Sequence, residues 1–127
     1  MAKPIMQFKN IAQAKRCLRE WQSRLFLEDW TIDLRLVKPK EIPGRQGETD
    51  WESVNQSAVI KVARVKHQEY IQKVCAEKVL VHELLHCKYN VRPASRNYLA
   101  QHQLLEQMAK SLIMAKYNLP FKWFSNI

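Results

Sequence analysis

The sequence has few of the residues that mark linkers, repeats or disulfide frameworks. Its 127 residues include two glycines and five prolines and no repeated segment, which excludes a solenoid or a low-complexity tail. Three widely spaced cysteines are too few for a disulfide framework or a cysteine-rich zinc ribbon, so we expect reduced thiols. Near the N-terminus, Lys and Arg interrupt each apolar cluster before it reaches the length of a signal peptide or membrane span. We expect one domain, residues 1–127, in the cytoplasm and outside any membrane.

The chain carries an excess of positive charge. It has 21 Lys and Arg against 12 Asp and Glu, a formal net charge of +9. A field of this sign attracts anionic partners, so nucleic acid has to be considered. The basic residues are scattered, however, and no basic block or nucleic-acid-binding motif accompanies them. The pattern favours a solvated basic surface over a nucleic-acid interface, and it leaves the oligomeric state undetermined.

Hydrophobic periodicity divides the chain into helical and extended segments. Helical spacing covers Asn10 to about Glu28, about Gln68 to Asn90, and Ser95 or Asn97 to Tyr117. Strand-like segments cover residues 30–37, a less certain stretch from Trp51 to Val54, and the run AVIKVARV, and the last two are expected to form a hairpin. Asn90 suits a left-handed helix end, and Pro93 follows it as a stop. The order predicts an α+β domain whose small sheet is mostly antiparallel.

The second helical segment contains the pattern His-Glu-x-x-His at His82, Glu83 and His86. Residues four apart lie on one helix face, so both imidazoles can point at a single metal ion. Glu83, rotated by about 100°, leans towards the place where a water on that ion would lie. Without a metal, three polar side chains would have to find partners inside an apolar segment, which is costly. The spacing therefore predicts a metal site.

A catalytic zinc site needs a third protein ligand. The last predicted helix offers His102 and Glu106, which lie four residues apart on the stripe that also holds Leu99, Ala109 and Ile113. We expect this stripe to face inward, with Glu106 as the third ligand. His102 is the rival ligand, or else lines the pocket beside the ion.

With these residues the chain resembles the gluzincin zinc metallopeptidases, and in particular the single-domain minigluzincins. The resemblance rests on HELLH at residues 82–86, on Glu106 in a following helix, and on the order helix, strands, active-site helix, glutamate helix. It implies a zincin-like fold and a zinc metalloendopeptidase with one Zn²⁺ per chain. His82, His86 and Glu106 would bind the zinc, Glu83 would be the general base, and the strand AVIKVARV would pair with a peptide or protein substrate.

The sequence also departs from that family pattern. Many gluzincins have an aspartate four residues after the glutamate ligand, where this chain has Lys110, so the acceptor that supports a ligand histidine is unassigned. Tyr98, His102 and Arg92 are candidates to stabilise an oxyanion. Two alternatives stay open: a latent peptidase covered by its own termini, and a basic nucleic-acid-associated or partner-binding protein with a structural or inactive zinc site.

Overall fold

The computed structural model describes residues 2–64, 74–94, 96–120 and 122–126. Within these residues, three α-helices and three strands follow in the order helix, three strands, helix, helix, which confirms the α+β class. Their bounds are α1 Ile11–Arg24, β1 Thr31–Val37, β2 Gly47–Glu52, β3 Ser57–Ala63, α2 Ala76–Tyr89 and α3 Tyr98–Tyr117, with 3₁₀ turns at Pro39–Glu41 and Trp123–Asn126.

The strands form one sheet in the order β1-β3-β2. β2 and β3 pair antiparallel, with Thr49 opposite Ile60, as the predicted hairpin requires. β1 pairs with β3 in parallel, with Leu34 opposite Ile60, so the sheet is mixed rather than mostly antiparallel. A parallel neighbour needs a long crossover connection, and the segment that contains β2 provides it. β3 thus lies in the centre and β2 at an edge.

Local capping explains where the helices begin and end. Asn10 caps α1, since its side chain accepts a hydrogen bond of 2.8 Å from the backbone of Gln13. Asn90, in the left-handed region at φ 53°, ends α2 as predicted. The predicted start of this helix at Gln68 lies outside the described residues, and α2 begins at Ala76. The alternative start of the last helix at Ser95 also lies outside them, and Asn97 is the residue before α3.

Helix α2 runs through the core. Every residue from Ala76 to Cys87 is buried, including the ionisable residues Glu77, Lys78, His82, Glu83 and His86. Burial of such groups is costly unless each has a hydrogen-bond partner. Among the described residues, no buried side-chain nitrogen or oxygen lacks one. The partners of these polar groups therefore decide how the helices pack around α2.

Glu77 ties four parts of the chain together. One carboxylate oxygen accepts hydrogen bonds from the backbone N–H of Ile5 at 3.0 Å and the hydroxyl of Tyr117 at 2.6 Å. The other accepts from the indole of Trp21 at 2.8 Å and the ammonium of Lys116 at 2.7 Å. Charged partners make these the stronger kind of hydrogen bond. The network fixes the start of α2 against the end of α3.

The inward face of α3 is partly the predicted one. Ala109 and Ile113 are fully buried, and Leu105 joins them, whereas Leu99 is 77% exposed. The expectation that Leu99 belongs to the inward stripe was therefore wrong, because it lies in the first turn of α3, where that flank of the helix no longer meets the core.

No helix in the described part of the chain has the length and apolar character needed to cross a membrane.

Candidate metal centre

The site lies where α2 and α3 face each other in antiparallel register. Lys78, His82 and His86 occupy successive turns of one face of α2, because they are spaced by four residues. His102 and Glu106 occupy successive turns of α3, and Lys78 contacts Glu106 while His82 contacts His102. Successive turns towards the C-terminus of α2 therefore face successive turns towards the N-terminus of α3.

Three histidine Nε2 atoms converge in this register. His82 Nε2 lies 3.1 Å from His102 Nε2 and 3.2 Å from His86 Nε2, and the ligand atoms of all three lie within 4.8 Å of one another. Two nitrogens bound to a tetrahedral zinc at 2.0–2.1 Å would be about 3.3 Å apart. These two separations match that spacing and the third pair lies within 4.8 Å, so one ion can contact all three side chains.

The contact on the other side of the ring fixes the tautomer of His86 and favours one tautomer of His82. His86 Nδ1 lies 2.9 Å from the carbonyl oxygen of Val91, which can only accept, so Nδ1 carries the proton. His82 Nδ1 lies 3.4 Å from a carboxylate oxygen of Glu106, which favours the same tautomer. Neutral rings then present Nε2 lone pairs to each other at 3.2 Å, which is repulsive. One shared proton can relieve one pair, whereas a metal ion can accept all three lone pairs.

Glu106, the expected third ligand, lies next to the histidines and pairs with Lys78. Its two oxygens accept hydrogen bonds from the ammonium of Lys78 at 2.9 and 3.1 Å, and one of them faces Nδ1 of His82, not the side where the Nε2 atoms meet. The structure therefore groups His102 with His82 and His86 and places Glu106 behind His82. Both residues lie on the predicted face, and the register of α3 decides which of them reaches the centre.

The surroundings shift the pKa values of these groups. Burial alone would raise the pKa of Glu106, but the hydrogen bond to His82 and the charge of Lys78 outweigh it and lower the pKa to about 2. Burial lowers the pKa of His86 to about 4, and burial together with the neighbouring His82 lowers the pKa of His102. An ionised carboxylate beside neutral imidazoles is the state in which the rings can act as ligands.

Glu83 lies beside the histidines under strand β2. It is buried, and burial raises the pKa of its carboxyl group, while the hydroxyl of Thr49, donating at 2.6 Å to one carboxylate oxygen, acts in the opposite direction. A β-carbon added at Gly47 would lie 3.0 Å from the other oxygen of Glu83 and 2.7 Å from a methyl group of Val79. Strand β2 can pass this close to Glu83 only because residue 47 has no side chain.

A cleft of about 370 Å³ opens over these residues. Its lining combines the histidines and Glu83 with residues of β2 and with four aromatic or apolar residues: Trp51, Val91, Pro93 and Tyr98. Among the described residues, neither the N-terminal segment nor residues 122–126 contribute to the lining. The run AVIKVARV forms β3, which is paired on both sides and has no free edge for a substrate. Its implied role as the substrate-pairing strand is therefore wrong, and β2 is the strand beside the cleft. Val65 at the end of that run lies outside the described residues.

Of the two remaining candidates for stabilising an oxyanion, Tyr98 and Arg92, only Tyr98 lies in the cleft. Tyr98 lines the cleft, and its ring centroid lies 5.4 Å from that of His102. Arg92 instead lies over Trp51, with its guanidinium carbon 4.3 Å from the indole centroid, and is not among the cleft residues. Lys110 stands where the family pattern has an aspartate that supports a ligand histidine. Here the Nδ1 atoms of the two histidines of α2 face other acceptors, Glu106 for His82 and the Val91 carbonyl for His86.

Sequence reasoning missed Lys78, Thr49 and Gly47. The signal for Lys78 was present, since it stands four residues before His82 and is followed by the apolar residues 79–81. Thr49 and Gly47 carried no comparable signal, because their importance depends on which strand lies over α2.

Comparison of the chain with protein-family models, with curated proteins and with solved structures finds no match. The candidate centre therefore rests on its own geometry.

Proposed function

We propose that the protein is a zinc-dependent metallopeptidase in which His82, His86 and His102 bind one Zn²⁺ and Glu83 is the general base. The convergence of three Nε2 atoms at separations of 3.1 and 3.2 Å carries this proposal. Three imidazoles are a donor set that catalytic zinc sites use, and they leave a coordination position for water. A bound zinc ion supplies a Lewis acid that lowers the pKa of its water towards ~7 and polarises a substrate carbonyl.

The protein side chains have distinct tasks in this proposal. Glu83 takes a proton from the attacking water and returns it to the leaving amine, and Thr49 holds the Glu83 carboxylate in one orientation. The Val91 carbonyl and Glu106 orient the two histidines of α2 through their Nδ1 atoms. The apolar walls around α2 exclude water and strengthen the electrostatic effects.

A peptide is the substrate that fits the cleft best. Strand β2 forms an edge of the described sheet, so its outward backbone groups can pair with an extended chain. Such pairing binds main-chain groups and requires little of the substrate sequence. We place this activity in the cytoplasm, where the three free, buried cysteines would remain reduced.

The test compares zinc content and peptide cleavage in matched variants. Purified protein is freed of metal with a chelator, reloaded with zinc, and assayed by mass spectrometry on a proteome-derived peptide library. Wild type should hold one zinc per chain and generate new peptide termini. Glu83→Gln should keep its zinc and lose cleavage by about 10²–10⁴-fold. Glu28→Gln, the same change at an exposed glutamate outside the cleft, serves as the control.

Two outcomes contradict the proposal. If wild type binds no zinc after reloading, the histidine cluster is not a metal centre. If Glu83→Gln cleaves as well as the Glu28→Gln control, the hydrolytic assignment is wrong even if zinc is bound.

A further inference from the structure

We infer that Lys78 selects the metal donor set by holding Glu106 away from the ion. This inference rests on the proposed zinc site and makes Lys78 a positioning residue that acts through Glu106. It explains why the chain carries both His102 and Glu106 on one face of α3, one turn apart, where a single additional ligand is sufficient.

The contact between Lys78 and Glu106 is well formed. The ammonium lies within hydrogen-bond distance of both carboxylate oxygens, at 2.9 and 3.1 Å, and the Lys78 side chain is only 11% exposed. A buried lysine strongly requires a charged partner, because an unpaired ammonium in such a place is costly. The carboxylate therefore serves Lys78 and the Nδ1 side of His82 at the same time.

Glu106 would otherwise compete for the ion. A carboxylate is an ordinary zinc ligand, and Glu106 stands four residues from His102, the same interval that separates His82 from His86. Without the ammonium, the negative charge next to a divalent cation would be drawn to it, and a change of side-chain rotamer would bring it closer. Lys78 provides the competing positive charge on the opposite side.

The choice of donors matters for hydrolysis. Three neutral imidazoles leave the full charge of the zinc ion to act on water and substrate, whereas a carboxylate would neutralise part of it. A fourth protein ligand would also occupy the position that the substrate carbonyl needs. By keeping Glu106 away from the zinc ion, Lys78 preserves an open coordination position and the full charge that polarises the substrate carbonyl.

The experiment measures zinc affinity by competition with a chromophoric chelator and counts the zinc donors by X-ray absorption. The variants are Lys78→Met, Glu106→Gln, the double variant, and Lys110→Met as a charge-matched control on α3. Lys78→Met should add an oxygen donor and bind zinc about tenfold more tightly, while Glu106→Gln should bind about 10–100-fold more weakly. The double variant should show the wild-type shell of three histidine nitrogens and water, without the added carboxylate oxygen, and Lys110→Met should behave as wild type. Lys78→Gln repeats the test if circular dichroism shows that Lys78→Met is unfolded.

The outcomes separate this inference from the proposed function. If Lys78→Met and Glu106→Gln weaken zinc binding alike and no donor changes, the ion pair is merely structural and the inference fails while the zinc site stands. If wild type already shows an oxygen donor from Glu106, the inference also fails. If wild type binds no zinc, the proposed function itself is wrong.

Discussion

Gly47 lies directly over Glu83, and we predict that Gly47→Ala impairs the proposed hydrolysis without removing the proposed zinc ion. The added methyl group would lie 2.7 Å from Val79 Cγ1 and 3.0 Å from both Cγ and Oε2 of Glu83. The first distance is shorter than side chains tolerate, so the Val79 side chain, β2 or α2 must shift. The contacts with Cγ and Oε2 of Glu83 are also tight, so we expect the carboxylate to be displaced.

The magnitude follows from two opposing effects. Overpacking in a buried layer costs about 1–3 kcal/mol. Replacing glycine by alanine restricts the unfolded chain and returns about 0.4–1 kcal/mol. We expect a net loss of about 1–2 kcal/mol in the free energy of unfolding. Displacement of Glu83, the proposed general base, by a fraction of an ångström should lower kcat/KM by about 10–100-fold.

The chain offers a matched control in its other glycine. Gly44 has a φ of +74°, and a β-carbon there would meet no atom within 4 Å. Gly44→Ala should therefore lose about 1 kcal/mol through backbone strain alone. Both variants are compared by urea unfolding, by zinc content and by peptide cleavage at equal zinc loading. Only Gly47→Ala should lose cleavage.

If Gly47→Ala keeps the cleavage rate of wild type at full zinc occupancy, the close approach of β2 to Glu83 does not control hydrolysis. If Gly44→Ala loses as much activity as Gly47→Ala, the loss comes from general destabilisation and not from contact with Glu83.

Two further predictions concern groups away from the site. Burial and the hydrogen bond to Glu77 raise the pKa of Tyr117 from 10 to about 12, which favours its neutral form in the folded state. This stabilisation is complete below about pH 10 and is lost as the pH rises towards 12. In denaturant titrations, the free energy of unfolding of wild type should therefore fall by about 1 kcal/mol more than that of Tyr117→Phe between pH 9.5 and 12. Equal losses in the two proteins would contradict the assignment. Burial raises the pKa of Cys17 to about 12 and that of Cys75 to about 11. Iodoacetamide at pH 8 should therefore label neither thiol until the protein is unfolded. Rapid labelling of the folded protein would show that these thiols are accessible.

Local chemistry made several elements predictable from the sequence. The periodic spacing of apolar residues located α1 and α3, and α3 ends at Tyr117 as expected. The end of α2 followed from Asn90, which adopts the left-handed conformation that asparagine tolerates. The pattern at His82, Glu83 and His86 needed only a helix to bring its side chains to one side, and α2 supplies it.

Features that depend on distant contacts were not predictable in the same way. The parallel pairing of β1 with β3 leaves no trace in the alternation of residues 31–37, because alternation reports which face is buried and not which neighbour is paired. The role of β2 beside the cleft likewise depends on strand order. Thr49 and Gly47 gain their importance only from that order.

The choice between His102 and Glu106 depends on how far α3 slides along α2. These residues stand one turn apart, so a displacement of about 5–6 Å would exchange their positions relative to His82. The Glu77 network opposes such a slide, because Lys116 and Tyr117 near the end of α3 hydrogen-bond to a carboxylate at the start of α2. Lys78 opposes it again by pairing with Glu106 one turn before the histidines. Two ion pairs, each with a buried member on α2, thus fix a register that no single helix encodes, and this register brings a third imidazole to the other two.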